Sequence, residues 1–438
     1  MDVILMGLLM IVLLMVFVLL GVHVAVALSI SSVIGIWLTI GDFVASVHIL
    51  SSTAFHGIRS DVYAVIPLFV LMGLLANMSG VSSEIFNSFH VLLRRVRGGL
   101  GMATVGSNAV FSTVTGVSVA SAAVFSKLAY DPMLKLKYDK KLALGAIAGS
   151  SVLGMLIPPS LLFIVYGMLS KVSVGKLFIA GIIPGLLLAL LYCAGIYLMA
   201  KLKPQLVGGG EIEKKKLDKE DIKTIVKPWS VIVLVVVALG GIYTGFFTPT
   251  EAGGVGAFGA LLLVIVRRKM NLRVFWNTLI ETGYTSASVL LLLIAAQMYS
   301  RMLSMTGIIN TIDNFVNELS VAPTLLLVIF MLIILILGMF IDSTSILLIT
   351  MPLMLPFVES IGYDLIAFGV IAIVVVEMGL LTPPFGLVVY SMSSALSNRV
   401  SIWDIFRGAF PFVLMMGLLV VILFMFPSLS TWLPSIMG

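Results

Sequence analysis

Apolar positions along this chain come in long uninterrupted runs, not in the every-other-residue alternation of a half-buried strand or the one-sided stripe of a surface helix. Residues 3–40 contain no acidic or basic side chain except His23, and residues 229–247 contain none. Each run meets the need of about 20 apolar residues for a helix to cross a bilayer. The pattern predicts ten spans, near 3–20, 22–40, 62–79, 142–168, 177–200, 229–247, 249–266, 283–300, 364–393 and 409–428. Two further apolar stretches do not fit as spans. Residues 100–126 are interleaved with Gly101, Gly106, Asn108, Ser112, Thr113, Thr115, Gly116, Ser118 and Ser121, and residues 324–356 with Gly338, Asp342, Ser343, Thr344, Ser345 and Pro352. Non-helical backbone at membrane depth is tolerated only where protein or a water-filled cavity surrounds it, so both are expected as re-entrant hairpins.

Basic residues set the orientation. Arg94, Arg95 and Arg97 precede the first hairpin and Lys127, Lys135, Lys137, Lys140 and Lys141 follow its apolar part, so it opens to the cytoplasm. No Lys or Arg lies between Arg301 and Arg399, so the second opens outward. The charged segment 201–227, with Glu211, Lys214, Lys215, Lys216 and Asp221, is expected as a cytoplasmic loop dividing the chain. Arg267, Arg268 and Lys269 mark another cytoplasmic turn. Five spans and one hairpin on each side give halves 1–200 and 228–438 that run in opposite senses, with both termini outside the cytoplasm. The expected fold class is an all-α polytopic membrane protein: two inverted repeats of five transmembrane helices plus one re-entrant hairpin each, an elevator-type ion-transporter architecture.

Composition narrows the function classes. Of 438 residues, 60% are hydrophobic and 11% charged, and the mean hydropathy is +1.20, whereas soluble domains carry about 25% charged residues. The net charge of +6 sits in short loops and reads as positive-inside bias, with no nucleic-acid role. The N-terminal run lacks a basic start and continues into a second span, so it is expected as a retained helix and not a signal peptide. A single cysteine, Cys193, excludes an intrachain disulfide. His23, His48, His56 and His90 have no metal-ligand spacing. No phosphate-binding loop occurs: Val174-Gly175-Lys176 lacks the upstream glycine and the following hydroxyl. The chain is therefore not itself an ATPase, and no constellation of a membrane enzyme is visible. Transport energy must come from an ion gradient, where 100 mV supplies about 2.3 kcal/mol per charge.

The halves also repeat each other. Gly154-Met155-Leu156-Ile157-Pro158-Pro159 recurs as Gly379-Leu380-Leu381-Thr382-Pro383-Pro384 at an offset of 225, which also carries Ser118 onto Ser343. The stretch from Ile66 to Gly73 precedes the first hairpin much as residues 290–297 precede the second. Proline removes a backbone donor and clashes with the preceding turn, so each Pro-Pro breaks a helix. The freed carbonyls and amides are costly in a bilayer unless something pairs with them. Discontinuous helices at a repeat interface are where secondary transporters hold ions and substrate.

Several polar residues inside the apolar stretches carry two readings. Asp342, at the second hairpin turn, costs about 2.5–3.5 kcal/mol at mid-membrane; it is expected either to coordinate a cation or to cap the helix that follows. Glu377 is a proton or cation site, or a tie between neighbouring helices. Glu251, in Thr248-Pro249-Thr250-Glu251-Ala252, is expected as part of a helix N-terminal cap. Thr115, Gly116 and Ser118, with Ser343 and Thr344, offer hard oxygen ligands suited to an alkali cation, or else small residues for tight helix packing.

Taken together, Ile66-Pro67-Leu68-Phe69-Val70-Leu71-Met72-Gly73, Gly154 through Ser160, Phe247 through Ala252 and Gly379 through Gly386 make the chain resemble the large membrane subunit of TRAP (tripartite ATP-independent periplasmic) transporters over nearly its whole length. The resemblance implies a sodium-driven elevator in the bacterial inner membrane, working with a small four-helix membrane subunit and a periplasmic substrate-binding protein. Fused small-subunit helices are not seen, so that partner is expected as a separate chain. The resemblance places one Na+ between Thr115, Gly116, Ser118 and the break at Gly154, Ile157 and Pro158. It places another between Asp342, Ser343, Thr344 and the break at Gly379 and Thr382. An organic-acid substrate is expected between the tips, near Ser118, Ser343, Thr344, Pro158 and Pro383. One departure stands out: Gly21-Val22-His23 lies where the family usually has a proline soon after the glycine. The expectation is a sodium symporter for a C4-dicarboxylate, sialic acid or related carboxylate. The alternative is a stand-alone sodium-coupled dicarboxylate or oxyanion transporter that needs no binding protein.

Overall fold

The computed structural model describes residues 3–59, 61–208, 218–308, 322–397 and 399–436. Among these residues helices dominate, and the only extended pairing is an isolated bridge between Tyr138 and Val207. Six helices are long and apolar enough to cross a membrane singly, and two bent pairs raise the total to eight. Shorter apolar helices, including Val24–Ile40 and Leu365–Gly379, accompany them. Leu8, Leu19, Val236, Phe258, Val266 and Leu414 remain more than half exposed on their helices. Such apolar surface is unfavourable in water and is ordinary where lipid tails are the solvent.

The period of 225 reappears in the coordinates. The first hairpin is Gly99–Thr115 and Ser118–Lys135; the second is Pro323–Gly338 and Ser343–Ser360, so the return arms begin and end in the same register. Each return arm is followed by an Asp-capped helix. Asp139 accepts the amides of Lys141 and Leu142 at 2.9 and 3.1 Å, and Asp364 accepts those of Ile366 and Ala367 at 2.8 and 2.9 Å. A short polar side chain at this position satisfies amides that the first helical turn leaves free. Lys140–Ser151 and Leu153–Leu156 then stop at the first Pro-Pro before Leu161–Ser170 resumes; Leu365–Gly379 stops at the second before Leu387–Ala395. Both Pro-Pro peptide bonds are cis. A long apolar helix closes each half, Val174–Leu202 in one and Ile402–Met425 in the other.

Four helices were not foreseen from hydropathy: Phe43–Ile58, Val81–Leu93, Lys219–Val226 and Ser428–Ile436. The third lies within the segment 201–227 that was expected as a charged cytoplasmic loop. Val174–Leu202 runs into that segment, and Asp218 and Asp221 form a reciprocal capping box that starts Lys219–Val226. Glu211 and Lys214, Lys215 and Lys216 lie outside the described residues. The 283–300 span is also longer than expected, because it is part of a 35-residue helix, Leu272–Thr306. At the family departure noted above, Gly21 is left-handed at φ 81°, and His23 takes the cap, its Nδ1 accepting the Ala25 amide at 3.4 Å.

Polar and charged contacts join two of these helices, Val81–Leu93 and Lys219–Val226. Arg94 meets Asp221 with two hydrogen bonds of 2.9 and 2.5 Å. Glu84 lies between Arg267 at 2.7 Å and Lys227 at 3.4 Å. The Ser88 hydroxyl donates to the Ile225 carbonyl at 2.9 Å. Val81–Leu93, which leads into the first hairpin, is thereby strapped to Lys219–Val226.

Candidate functional site

Each hairpin turn is docked by backbone onto the broken helix of its own half. In the first, Gly116 adopts φ 61° and returns its N–H to the Ser112 carbonyl at 3.0 Å, while its carbonyl accepts the Leu161 N–H at 3.4 Å. A methyl group on Gly116 would stand 2.8 Å from the Pro159 oxygen, and one on Gly154 3.2 Å from the Val117 carbonyl carbon. Gly73 is pressed against the same turn, its missing methyl 2.8 Å from the Val114 oxygen, which gives the Ile66–Gly73 motif a structural purpose. In the second half the Phe385 N–H donates to the Met339 carbonyl at 3.3 Å. Gly338 and Gly379 cross so closely that a methyl on Gly379 would lie 2.6 Å from the Gly338 Cα.

The expected cation ligands of the first half fall into its dock. Thr115, Gly116, Ser118 and Gly154 are brought together, with Ile157 and Pro158 in the adjoining buried break. The Thr115 hydroxyl lies 3.3 Å from the Phe111 carbonyl and 3.4 Å from Ser121 Oγ. A crevice of about 20 Å³ separates Thr115, Gly116 and Val117 from Pro159, Ser160 and Leu161. That is room for one water-sized species, and hydroxyl and carbonyl oxygens are the hard donors an alkali ion takes. Of the expected ligands, Thr115 and Gly116 line this crevice, beside the apolar side chains of Phe69, Val70 and Leu161.

The second half differs. The Asp342 carboxylate accepts the amides of Thr344 at 3.1 Å and Ser345 at 3.0 Å, so the capping role is realised in this structure. The Thr382 hydroxyl donates to the Met378 carbonyl at 2.8 Å. Pro158 and Pro159 are buried, whereas Pro383 and Pro384 are exposed, and a cavity of about 510 Å³ reaches Pro384. A volume of that order suits a small organic molecule. Glu251 is confirmed as a cap, its carboxylate accepting the Thr248 N–H at 2.8 Å and hydroxyl at 2.9 Å.

Glu377, read from the sequence as a proton or cation site or as a tie between helices, was not among the assigned ion or substrate ligands. It lies at the junction of both hairpins and is 1% exposed. The Ser343 hydroxyl donates to its Oε1 at 2.9 Å, and the Ser118 hydroxyl lies beside the same carboxylate. The signal was available: Glu377 is the only acidic residue between Asp364 and Asp404, and a charge in such a stretch needs a partner.

Apolar helices with two hairpins, each docked on a broken helix, define a multi-pass membrane protein with the internal architecture of a secondary transporter. Residues 11–429 match the family described as "Tripartite ATP-independent periplasmic transporter, DctM component". The chain belongs to that family, which is one of transporters and not enzymes. It is 32% identical to the C4-dicarboxylate TRAP transporter large permease protein DctM of Pseudomonas aeruginosa, covering 85% of this chain and 86% of that one. It is 31% identical to the sialic acid TRAP transporter large permease protein SiaM of Vibrio cholerae, covering 87% and 88%. Among solved structures it matches the YdaH transporter of Alcanivorax borkumensis, with a TM-score of 0.60 at 16% identity over 88% of this chain and 89% of that one, a likeness of fold.

Proposed function

We propose that this chain is the transport subunit of a sodium-coupled, binding-protein-dependent importer of organic acids in the bacterial inner membrane. The observation that carries the reading is the first dock, where a hairpin turn of uncharged oxygen donors closes against a broken helix around a crevice of about 20 Å³. One sodium ion is assigned to Thr115, Gly116, Ser118, Gly154, Ile157 and Pro158, of which Thr115 and Gly116 line that crevice. A second is assigned to Asp342, Ser343, Thr344, Gly379 and Thr382. The substrate is assigned between the tips, near Ser118, Ser343, Thr344, Pro158 and Pro383. C4-dicarboxylates and sialic acid, named for two relatives, are both carboxylates, and this supports an organic acid as cargo. The halves 1–200 and 228–438 are inverted repeats joined by 201–227. Their hairpins, near 100–126 and 324–356, move with the broken helices as a rigid elevator past the remaining helices. A small four-helix membrane subunit and a periplasmic binding protein complete the assembly.

The test is uptake of radiolabelled succinate and sialic acid into proteoliposomes. The chain is assayed alone and with its small membrane subunit and binding protein, with and without an inward sodium gradient. Uptake that requires every component and sodium supports the reading. Sodium-driven uptake by the chain alone removes the binding-protein requirement, and uptake indifferent to sodium removes the coupling.

A further inference from the structure

The two hairpin turns are 225 residues apart in sequence, yet their first helical residues, Ser118 and Ser343, address one carboxylate. Ser343 Oγ donates to Glu377 Oε1 at 2.9 Å. Ser118 lies beside the same group, and both Ser118 Oγ and Glu377 Oε2 are buried without a completed hydrogen bond. Ser118 and Ser343 each open an 18-residue helix, so the carboxylate stands beside two helix N-termini, whose free amides and aligned dipoles favour an anion. The arrangement is not duplicated. The position equivalent to Glu377 under the repeat is Val152, which is buried in the core. One carboxyl group stands beside both turns.

We propose that Glu377 is a positioning residue that ties the two hairpin turns into a single unit, held through Ser343 on Oε1 and with the Ser118 hydroxyl beside the same carboxylate. In this role the turn of the first half depends on a side chain supplied by the second. The bridge also gives the two turns a means of rearranging together. The inference does not depend on which ion drives uptake or on which acid is carried.

Hydrogen exchange measured by mass spectrometry on the full chain in lipid nanodiscs tests it, without added substrate and at one pH. Loss of a buried side-chain hydrogen bond raises local opening by up to about tenfold. Ser343→Ala is expected to speed exchange by that order at residues 342–346 and also at residues 115–121 in the other half. Glu377→Ala is expected to loosen both turns. Glu377→Gln, which keeps an acceptor oxygen for Ser343, is expected to restore protection in large part. Exchange in Val24–Ile40 serves as the reference, so that general loosening of the fold is recognised. The proposal is overturned if Ser343→Ala acts only on residues 342–346, if Glu377→Ala loosens one turn alone, or if the reference helix loosens equally.

Discussion

Gly145 and Gly408 meet backbone to backbone. A methyl group on Gly145 would lie 2.0 Å from the Gly408 carbonyl oxygen, and one on Gly408 would lie 2.2 Å from the Lys141 carbonyl oxygen. The Asp139-capped helix therefore crosses Ile402–Met425 backbone on backbone at this point, with Phe412 packed against Gly149 one turn along, the close approach that small residues permit in membranes. Gly145→Ala or Gly408→Ala is expected to cost about 1–3 kcal/mol by overpacking. Gly240→Ala is the contrast: no atom lies within 4 Å of its added methyl, and alanine in a helix gains about 0.5–1 kcal/mol over glycine. Thermal unfolding in detergent should fall for the first two variants and hold or rise for the third.

Ser118→Ala and Ser343→Ala are each expected to raise the sodium concentration needed for half-maximal uptake, with little change in expression. Both serines are buried, and alanine removes one oxygen while keeping the helix. If sodium titrations of uptake are superimposable for wild type and both variants, the tip sites are misplaced.

The strap between Arg94 and Asp221 is nearly closed to solvent, with side chains 9% and 10% exposed. Removing one member of such a pair leaves the other charge uncompensated, which costs more than removing both. Asp221→Ala alone should therefore increase proteolysis near Lys219–Val226 more than the Arg94→Ala/Asp221→Ala double variant does. Equal cleavage in the two would show that the pair does not hold the strap.

Asp364 begins the helix that carries Glu377. Asp364→Ala is expected to cost about 1 kcal/mol, within the ordinary range for a lost N-cap, while Asp364→Asn keeps the acceptor and most of the stability. Chemical unfolding of the two variants side by side checks this.

The register of the fold was legible because the sequence repeats where the backbone has special needs. Ser118 and Ser343 open equivalent helices, and each Pro-Pro ends one. Hydropathy lost Val81–Leu93 because Glu84, Asn87 and His90 interrupt it, and the partners of Glu84, Arg267 and Lys227, lie far away in sequence. Leu272–Thr306 was underestimated because Asn277, Glu281 and Thr282 dilute its first half. The contrast between the buried and exposed Pro-Pro breaks was not legible at all. The two motifs are nearly alike, and exposure is decided by what packs on them. Glu377 was visible as a charge in need of a partner, but no local pattern names a partner 34 positions away, still less one in the other half.

The unduplicated carboxylate also imposes an order on the protein's birth. Ser118 is made 259 residues before Glu377. At about 5–20 residues per second, the ribosome leaves the first turn without its counterpart for roughly 13–52 s. Through that interval Ser118 exists without the carboxylate that lies beside it in the finished fold. Maturation of the first turn is therefore an event of late synthesis, finished by the half of the chain that arrives last.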